Sequence, residues 1–311
     1  MYKLLNNLRG VGLILCFFCL VLFIGCGGGK WGYIDKLNNM VITPQYEEAL
    51  QFKEGLAPVK FEGKWIYIDK TGKKAISAQF EYAGIFNEGL ATVKLDEKWG
   101  FIDKTGNIVI RPRFDDEWYF SEGLAGVKVD DKWGFIDKTG KVVIKPRYDF
   151  VLPFSEGLAG VRVGDDWGFI DKTGKVVIKP RYDDFVLPFS EGLALVSYWN
   201  TNVCLYIDRN GREIIRMDSP GISVSHTCGS FMDGRAGSCF ESHCGFIDRE
   251  GKIIGGKRKF SAVKSFVEGF APVKTHGKWG FVDVTTKIII QPQYKDAQHF
   301  DEGLAPVKVN Q

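Results

Sequence analysis

Lys132-Trp-Gly-Phe-Ile-Asp-Lys-Thr-Gly-Lys-Val-Val-Ile-Lys-Pro-Arg-Tyr148, preceded by Glu122-Gly-Leu-Ala-Gly-Val-Lys-Val129, is the stretch that decides the fold. Short apolar runs separated by Asp-Asp and Asp-Lys-Thr-Gly read as strands joined by tight hairpins. Asp130-Asp131 supplies a two-residue turn, so Lys128 pairs with Trp133, Gly126 with Phe135 and Ala125 with Ile136. Asp137-Lys-Thr-Gly140 reads as a type I turn closed by a glycine at positive φ. The third strand, Lys141 to Lys145, is expected to stop at Pro146.

The pattern recurs along almost the whole chain. Variants of Trp-Gly-Phe-Ile-Asp begin at Trp31, Trp65, Trp99, Trp133, Trp167, Cys204, Cys244 and Trp279. The first five are 34 residues apart, and the later intervals are 37, 40 and 35. Self-similarity at this period marks a repeat architecture, in which each unit completes its core only against its neighbours. Composition agrees: 37 Gly, 24 Phe, 11 Tyr and 8 Trp stand beside 4 Met and 4 His in 311 residues.

Eight all-β units of three strands each are therefore expected. One face of each unit, with Ala125, Val127, Gly134 and Ile136, should be buried between units. The other carries Trp133 and Phe135 opposite Lys128 and Gly126. Pro58, Pro272 and Pro306 occupy the Gly126 position, which predicts that the Glu-Gly-Leu-Ala strand is a sheet edge. The chain opens on a Trp-Gly strand at Trp31 and closes on Glu302-Gly-Leu-Ala-Pro-Val-Lys308, so each end holds the strand that the other lacks. This complementarity favours a propeller-like closed ring over an open β-solenoid.

The Lys-Trp-Gly-Phe-Ile-Asp-Lys-Thr-Gly-Lys-Val-Val-Ile-Lys-Pro-Arg-Tyr-Asp and Glu-Gly-Leu-Ala-x-Val strings resemble those of the bacterial WG (KWG) β-repeat family. The resemblance implies an architecture and says little about activity.

Residues 1–25 form a separate segment. Lys3 and Arg9 precede an apolar run from Val11 to Ile24 that suits a signal-peptide core better than a membrane span. Gly25-Cys26 resembles a lipoprotein signal, with Phe23 where leucine is usual, so Cys26 is the expected lipidation site. An uncleaved N-terminal anchor is the alternative. Residues 26–29 would then be a short glycine tether before the repeat domain of 30–311, and either reading places that domain in the cell envelope. Loss of the two basic residues lowers the formal charge from +3 to +1, and no basic block points to nucleic acid.

The recurring carboxylates, from Asp35 to Asp283 and from Glu54 to Glu302, lie in turns in every copy. Turn capping explains them better than catalysis, which needs one special pair, or repeat-wise calcium binding. One tryptophan per unit suits a packing ladder; a ring of sugar- or choline-binding platforms is the functional alternative. Cys204, Cys228, Cys239 and Cys244 fall in the irregular copies at about 192–260, beside His226 and His243. Their spacing loosely resembles a zinc site, but an even number of cysteines in an exported chain favours disulfides. Cys239 and Cys244 occupy facing positions across a hairpin, which pairs them and leaves Cys204 with Cys228.

No nucleophile constellation or phosphate-cradling loop stands out, so neither an enzyme nor a cofactor is expected. Insertions at 198–203 and 217–230 are the natural places for recognition, with Tyr198, Trp199, Asn200, Asp218, Ser223 and His226 as candidate binding residues. The expected function is that of an envelope lipoprotein, anchored to the membrane through its lipid, that binds a protein or glycan partner. A purely structural, self-associating protein is the alternative, and a glycan-acting or metal-dependent enzyme is less favoured.

Overall fold

A computed structural model of the protein describes residues 29–199, 203–218, 228–240, 243–255 and 259–309. It contains eight antiparallel sheets arranged in chain order, and no helix among the described residues. In the fourth sheet the strands Asp116–Glu117, Leu124–Val129, Lys132–Asp137 and Val142–Tyr148 lie side by side in that order. The chain then steps directly to Phe150–Val151, the first strand of the fifth sheet.

The hairpin registers follow the turns. Lys128 faces Trp133, Gly126 faces Phe135 and Ala125 faces Ile136. Asp130 and Asp131 both adopt positive φ, at 47° and 63°, as a two-residue turn of this hand requires. At the next turn the Gly140 N–H donates to Asp137 O at 2.9 Å, while Asp137 Oδ1 accepts from the Thr139 amide and hydroxyl.

Five of the eight sheets have four strands, not three, and the second also has the additional inner strand. The additional strand is only two residues long and pairs with the strand expected to be an edge, as in Glu48 with Lys60 and Ala49 with Val59. Proline at the Gly126 position removes a donor but keeps its carbonyl. Leu50 N donates to Pro58 O at 3.1 Å, and Gln298 N to Pro306 O at 2.9 Å. The inner ladder therefore ends at the proline instead of being forbidden by it.

The outermost strand also runs on past its proline. Phe135 faces Ile144 and Trp133 faces Tyr148, so Lys145, Pro146 and Arg147 bulge over Gly134. A β-carbon on Gly134 would lie 2.4 Å from Ile144 O and 2.6 Å from Pro146 N. The glycine of the Trp-Gly pair is thus required by close backbone approach. Where Leu205 replaces it, the partner strand Glu213–Asp218 has no proline and pairs without that bulge, Leu205 facing Arg216 and Tyr206 facing Ile215.

The ring closes through the first sheet, whose strand order is Met40–Tyr46, Trp31–Asp35, Leu304–Lys308, Asp296–Ala297. Trp31 faces Lys308 and Tyr33 faces Pro306, the same register as within a single repeat. The expected exchange of strands between the chain ends is present.

Both faces of each sheet are buried, whereas the sequence suggested one. Trp133, Phe135, Ile144 and Tyr148 of the fourth sheet pack against Val151, Phe154, Ala159, Val161 and Ile170 of the fifth. At every interface the aromatic two residues after the motif's first position meets a phenylalanine of the next sheet. These pairs run from Tyr33–Phe52 and Phe135–Phe154 to Phe281–Phe300, with centroids 4.6–4.9 Å apart all round the ring. Substituting Gly168→Ala, whose β-carbon would lie 2.5 Å from Ile178 O, is expected to destabilise the ring by roughly 1–3 kcal/mol. A lowered urea midpoint at unchanged slope is the measurement that checks it.

Candidate functional site

Most of the repeated polar groups are consumed by the ring itself. Each acid of the acid-glycine turn accepts the amide N–H of the equivalent glycine in the next unit. Glu54 takes Gly89, Glu88 takes Gly123, and the cycle ends with Glu268 taking Gly303 and Glu302 taking Gly55. Lysines from the Asp-Lys-Thr-Gly turns brace the same carboxylates, as in Lys104–Glu54 at 2.9 Å and Lys70–Glu302 at 3.1 Å. Repetition of these acids is therefore structural. The motif tryptophans are likewise packed: Trp65, Trp133 and Trp167 are buried between sheets.

What is not repeated converges on the ring axis. A cavity of about 530 Å³ lies there, bounded by residues of the first, second, third, fourth, seventh and eighth sheets. Its wall comes mainly from two positions per unit, just after the short inner strand and before the buried phenylalanine. In the fourth unit these are Trp118 and Tyr119, in the eighth Lys264 and Ser265, and in the first Gln298 and His299. Glu117 and Thr92 complete the wall near Trp118.

The Trp118 indole N–H donates to Val151 O at 2.8 Å, and Phe150 stands edge to face with it at 6.1 Å, which fixes this ring at the cavity wall. Trp118 and Tyr119 stand edge to face at 6.4 Å. On the far wall, Lys264 Nζ donates to Ala297 O at 2.7 Å, pairs with Asp296 at 3.3 Å and lies 4.7 Å from the Trp279 ring centroid. Gln298 Nε2 donates to Ala49 O at 3.1 Å. Glu117 Oε2, Ser265 Oγ and His299 Nε2 are shielded from solvent and have no hydrogen-bond partner among the described residues, although all three belong to cavity-lining residues. Buried polar atoms are normally satisfied, so three of them around one cavity mark a place that a polar guest can complete.

Burial, reinforced by the neighbouring Asp116, pushes the Glu117 carboxyl up to about 8. Burial, with Lys264 nearby, pulls His299 down to about 3, which keeps its imidazole neutral. Burial alone raises the Tyr119 hydroxyl to about 12.

The candidates in the irregular copies fare differently. Tyr198 packs on Tyr182 at 5.5 Å, and Trp199 is 60% exposed. Asp218 ends the outer strand of the sixth sheet, while Asn200, Ser223, His226 and Cys26 lie outside the described residues. The cysteines form the expected bridges. Cys239–Cys244 spans a hairpin of the seventh sheet, and Cys204–Cys228 ties the sixth sheet to the residue facing Ser238 in the seventh. No group of three or more His, Cys, Asp or Glu among the described residues is disposed to hold a metal. The same residues contain no helix long and apolar enough to cross a membrane.

The axial cavity was missed from the sequence, though a signal exists. One alignment position reads Gln51, Ile85, Tyr119, Pro153, Pro188, Ser230, Ser265, His299, while the next is phenylalanine in all eight units. A position that varies beside one that never does, within one chain, marks a wall facing a ligand-sized space.

The family model for the WG containing repeat matches residues 31–65, 67–99, 99–133, 133–165, 167–198, 245–279 and 279–311. The chain belongs to the WG-repeat family. The stretch it leaves unmatched, 199–244, holds the insertions and all four bridged cysteines. A search of curated protein sequences finds no match. Among solved structures, "the eukaryotic initiation factor" is similar at 11% identity and TM-score 0.54, covering 87% of this chain and 86% of that one. Hsv2p of Kluyveromyces lactis is similar at 9% identity and TM-score 0.53, covering 77% and 93%. Virginiamycin B lyase from Staphylococcus aureus aligns at 14% identity and TM-score 0.47, over 91% and 99%. At such identities the first two likenesses speak to the propeller fold alone.

The two cavity groups give opposite linkage. A carboxyl raised from 4.5 to about 8 contributes stability that is intact below 4.5 and lost as pH rises through 8. A histidine lowered from 6.5 to about 3 contributes stability that is intact above 6.5 and lost as pH falls toward 3. Glu117→Gln removes only the first dependence. The variant is therefore expected to gain melting temperature relative to the parent between pH 5 and pH 8.5, as followed by thermal denaturation.

Proposed function

We propose that this WG-repeat propeller is a non-enzymatic binding module of the cell envelope, held to a membrane by lipid on Cys26, that receives part of a glycan in its axial cavity. The single observation carrying this reading is the grouping of aromatic rings with unpartnered donors and acceptors around one cavity, in a molecule whose other repeated polar groups bind one another. Aromatic faces suit the apolar faces of sugar rings, and Gln298, His299, Ser265 and Thr92 supply hydrogen-bonding groups for hydroxyls. The volume of about 530 Å³ falls within the usual range for small-ligand sites.

Self-association through sheet edges is less well supported. The outermost strands expose valine pairs such as Val142-Val143 and Val176-Val177, but Pro146 and Pro180 interrupt the same strands, and proline discourages strand addition. The exposed Trp199 is a second contact that a protein partner would use.

Titration of tryptophan fluorescence with a panel of soluble oligosaccharides tests the reading. A saturable change is expected, weakened about tenfold or more by Trp118→Ala and unaffected by Trp199→Ala. Binding lost with Trp199→Ala and kept with Trp118→Ala would move recognition to the irregular copies.

A further inference from the structure

The charge pattern of the cavity narrows the chemistry of its guest, and this step rests on the binding role proposed above. Two carboxylates line the cavity. Asp301 is paired with Lys53 at 3.3 Å, whereas among the described residues Glu117 forms no salt bridge and its Oε2 has no hydrogen-bond partner. The two bases of the wall do not compensate Glu117. Lys264 already holds Asp296 and the Ala297 carbonyl, and His299 is neutral. Lys264 also belongs to the eighth sheet and Glu117 to the fourth, so half the ring separates them.

The other groups facing Glu117 can be named from each packed element. Asp116 precedes it on its own strand and is itself attracted by Lys94 and Lys128. Thr92 of the third sheet lies beside Glu117, and Tyr67 of the second sheet is close enough to feel its charge. Tyr82, Trp118 and Tyr119 share the cavity wall with it. Trp65 and Trp99 flank Tyr82 at 5.1 and 5.2 Å, tilted and edge-on to it, so that ring is held in place. A lone carboxyl among aromatic rings is the arrangement that attracts an organic cation, through one ion pair and several ring faces. A metal ion would need a denser set of oxygen or nitrogen ligands than is gathered here.

We propose that the axial cavity is a site for an organic ammonium group, which pairs with Glu117 and lies against Tyr82, Trp118 and Tyr119. The group arrives either as a free small amine or as an ammonium substituent on the glycan. Its entry requires the ionised form of Glu117, which burial disfavours in the empty cavity. Binding therefore displaces a proton from that carboxyl whenever the pH is below about 8.

Isothermal titration of the intact protein with choline chloride and with its uncharged carbon isostere, 3,3-dimethylbutanol, tests this directly. Choline is expected to bind about tenfold or more tightly than the isostere at pH 8.5. Its affinity should fall about tenfold per pH unit from pH 8 down to 6. Glu117→Gln, which mimics the protonated carboxyl, should abolish both the preference and the pH dependence while keeping the parent circular dichroism. Trp118→Phe, which keeps a ring but loses the indole, should weaken choline without altering the pH slope. Equal affinity for choline and the isostere, or pH-independent choline binding by the parent, overturns the inference. Saccharides that bind where choline does not leave the glycan reading standing and remove this one. Choline binding with no saccharide binding does the reverse. A neutral oligosaccharide and its amine-bearing analogue, compared at pH 8.5, show whether the ammonium is carried on the glycan.

Discussion

The contact on which the structure depends is the aromatic pair that joins each sheet to the next. One ring comes from the strand after the motif tryptophan and the other from the segment leading out of the axis, as in Phe169–Phe189 at 4.9 Å. Burying two aromatic side chains at every interface brings large apolar area and a preferred tilted geometry together. Because the pair sits at the same place in every unit, it sets one spacing and one angle around the ring. The acid-to-glycine hydrogen bonds repeat the same step nearer the turns, so two independent cycles agree on the geometry. The irregular sixth and seventh sheets keep Tyr206–Phe231 and Phe246–Phe266 although both lack the motif tryptophan. The tryptophan is therefore the more dispensable of the two aromatics in the repeat.

The glycine beside that tryptophan and the proline of the outer strand form a second linked pair. Pro146 belongs to a bulge that brings backbone within 2.4–2.9 Å of where a β-carbon on Gly134 would stand. A glycine without the bulge would only loosen the strand, and a proline without the bulge would break the ladder. The units with Ile66 and Leu205 in place of the glycine also lack the proline, whereas the seventh unit keeps Gly245 without one.

Much of this was legible in the sequence because turn chemistry and period fix hairpin register. Asp130-Asp131 determined the pairing of Lys128 with Trp133, and the complementary ends determined closure through Trp31 and Lys308. The pairing of Cys239 with Cys244 followed from the same register. The inner strand escaped because two residues carry no alternation that a period-two pattern can register. The role of Pro58 was misjudged because a missing donor was taken for a missing acceptor as well. The cavity was hidden for a different reason. Its wall is built from a few residues of each of six distant units, and their chemistry becomes a site only when the ring brings Glu117, Trp118, Lys264 and His299 to a common axis. Attention to insertions pointed instead to the irregular copies, where of the six candidate side chains only Tyr198 and Trp199 can be placed.

Closure through the first sheet also limits how such a protein can change its length. An open stack gains a unit by simple duplication, since the new copy meets its neighbours as every other copy does. Here Trp31–Asp35 must meet Leu304–Lys308 after a full circuit. A ninth unit would over-rotate the circle unless every one of the aromatic contacts opened slightly. Copy number is thus a property of the whole ring, and duplication or loss of a single repeat is a cooperative event. Variation is confined to what leaves the circumference unchanged: insertions between strands, as in the sequence of the sixth and seventh units, and side chains on the axis.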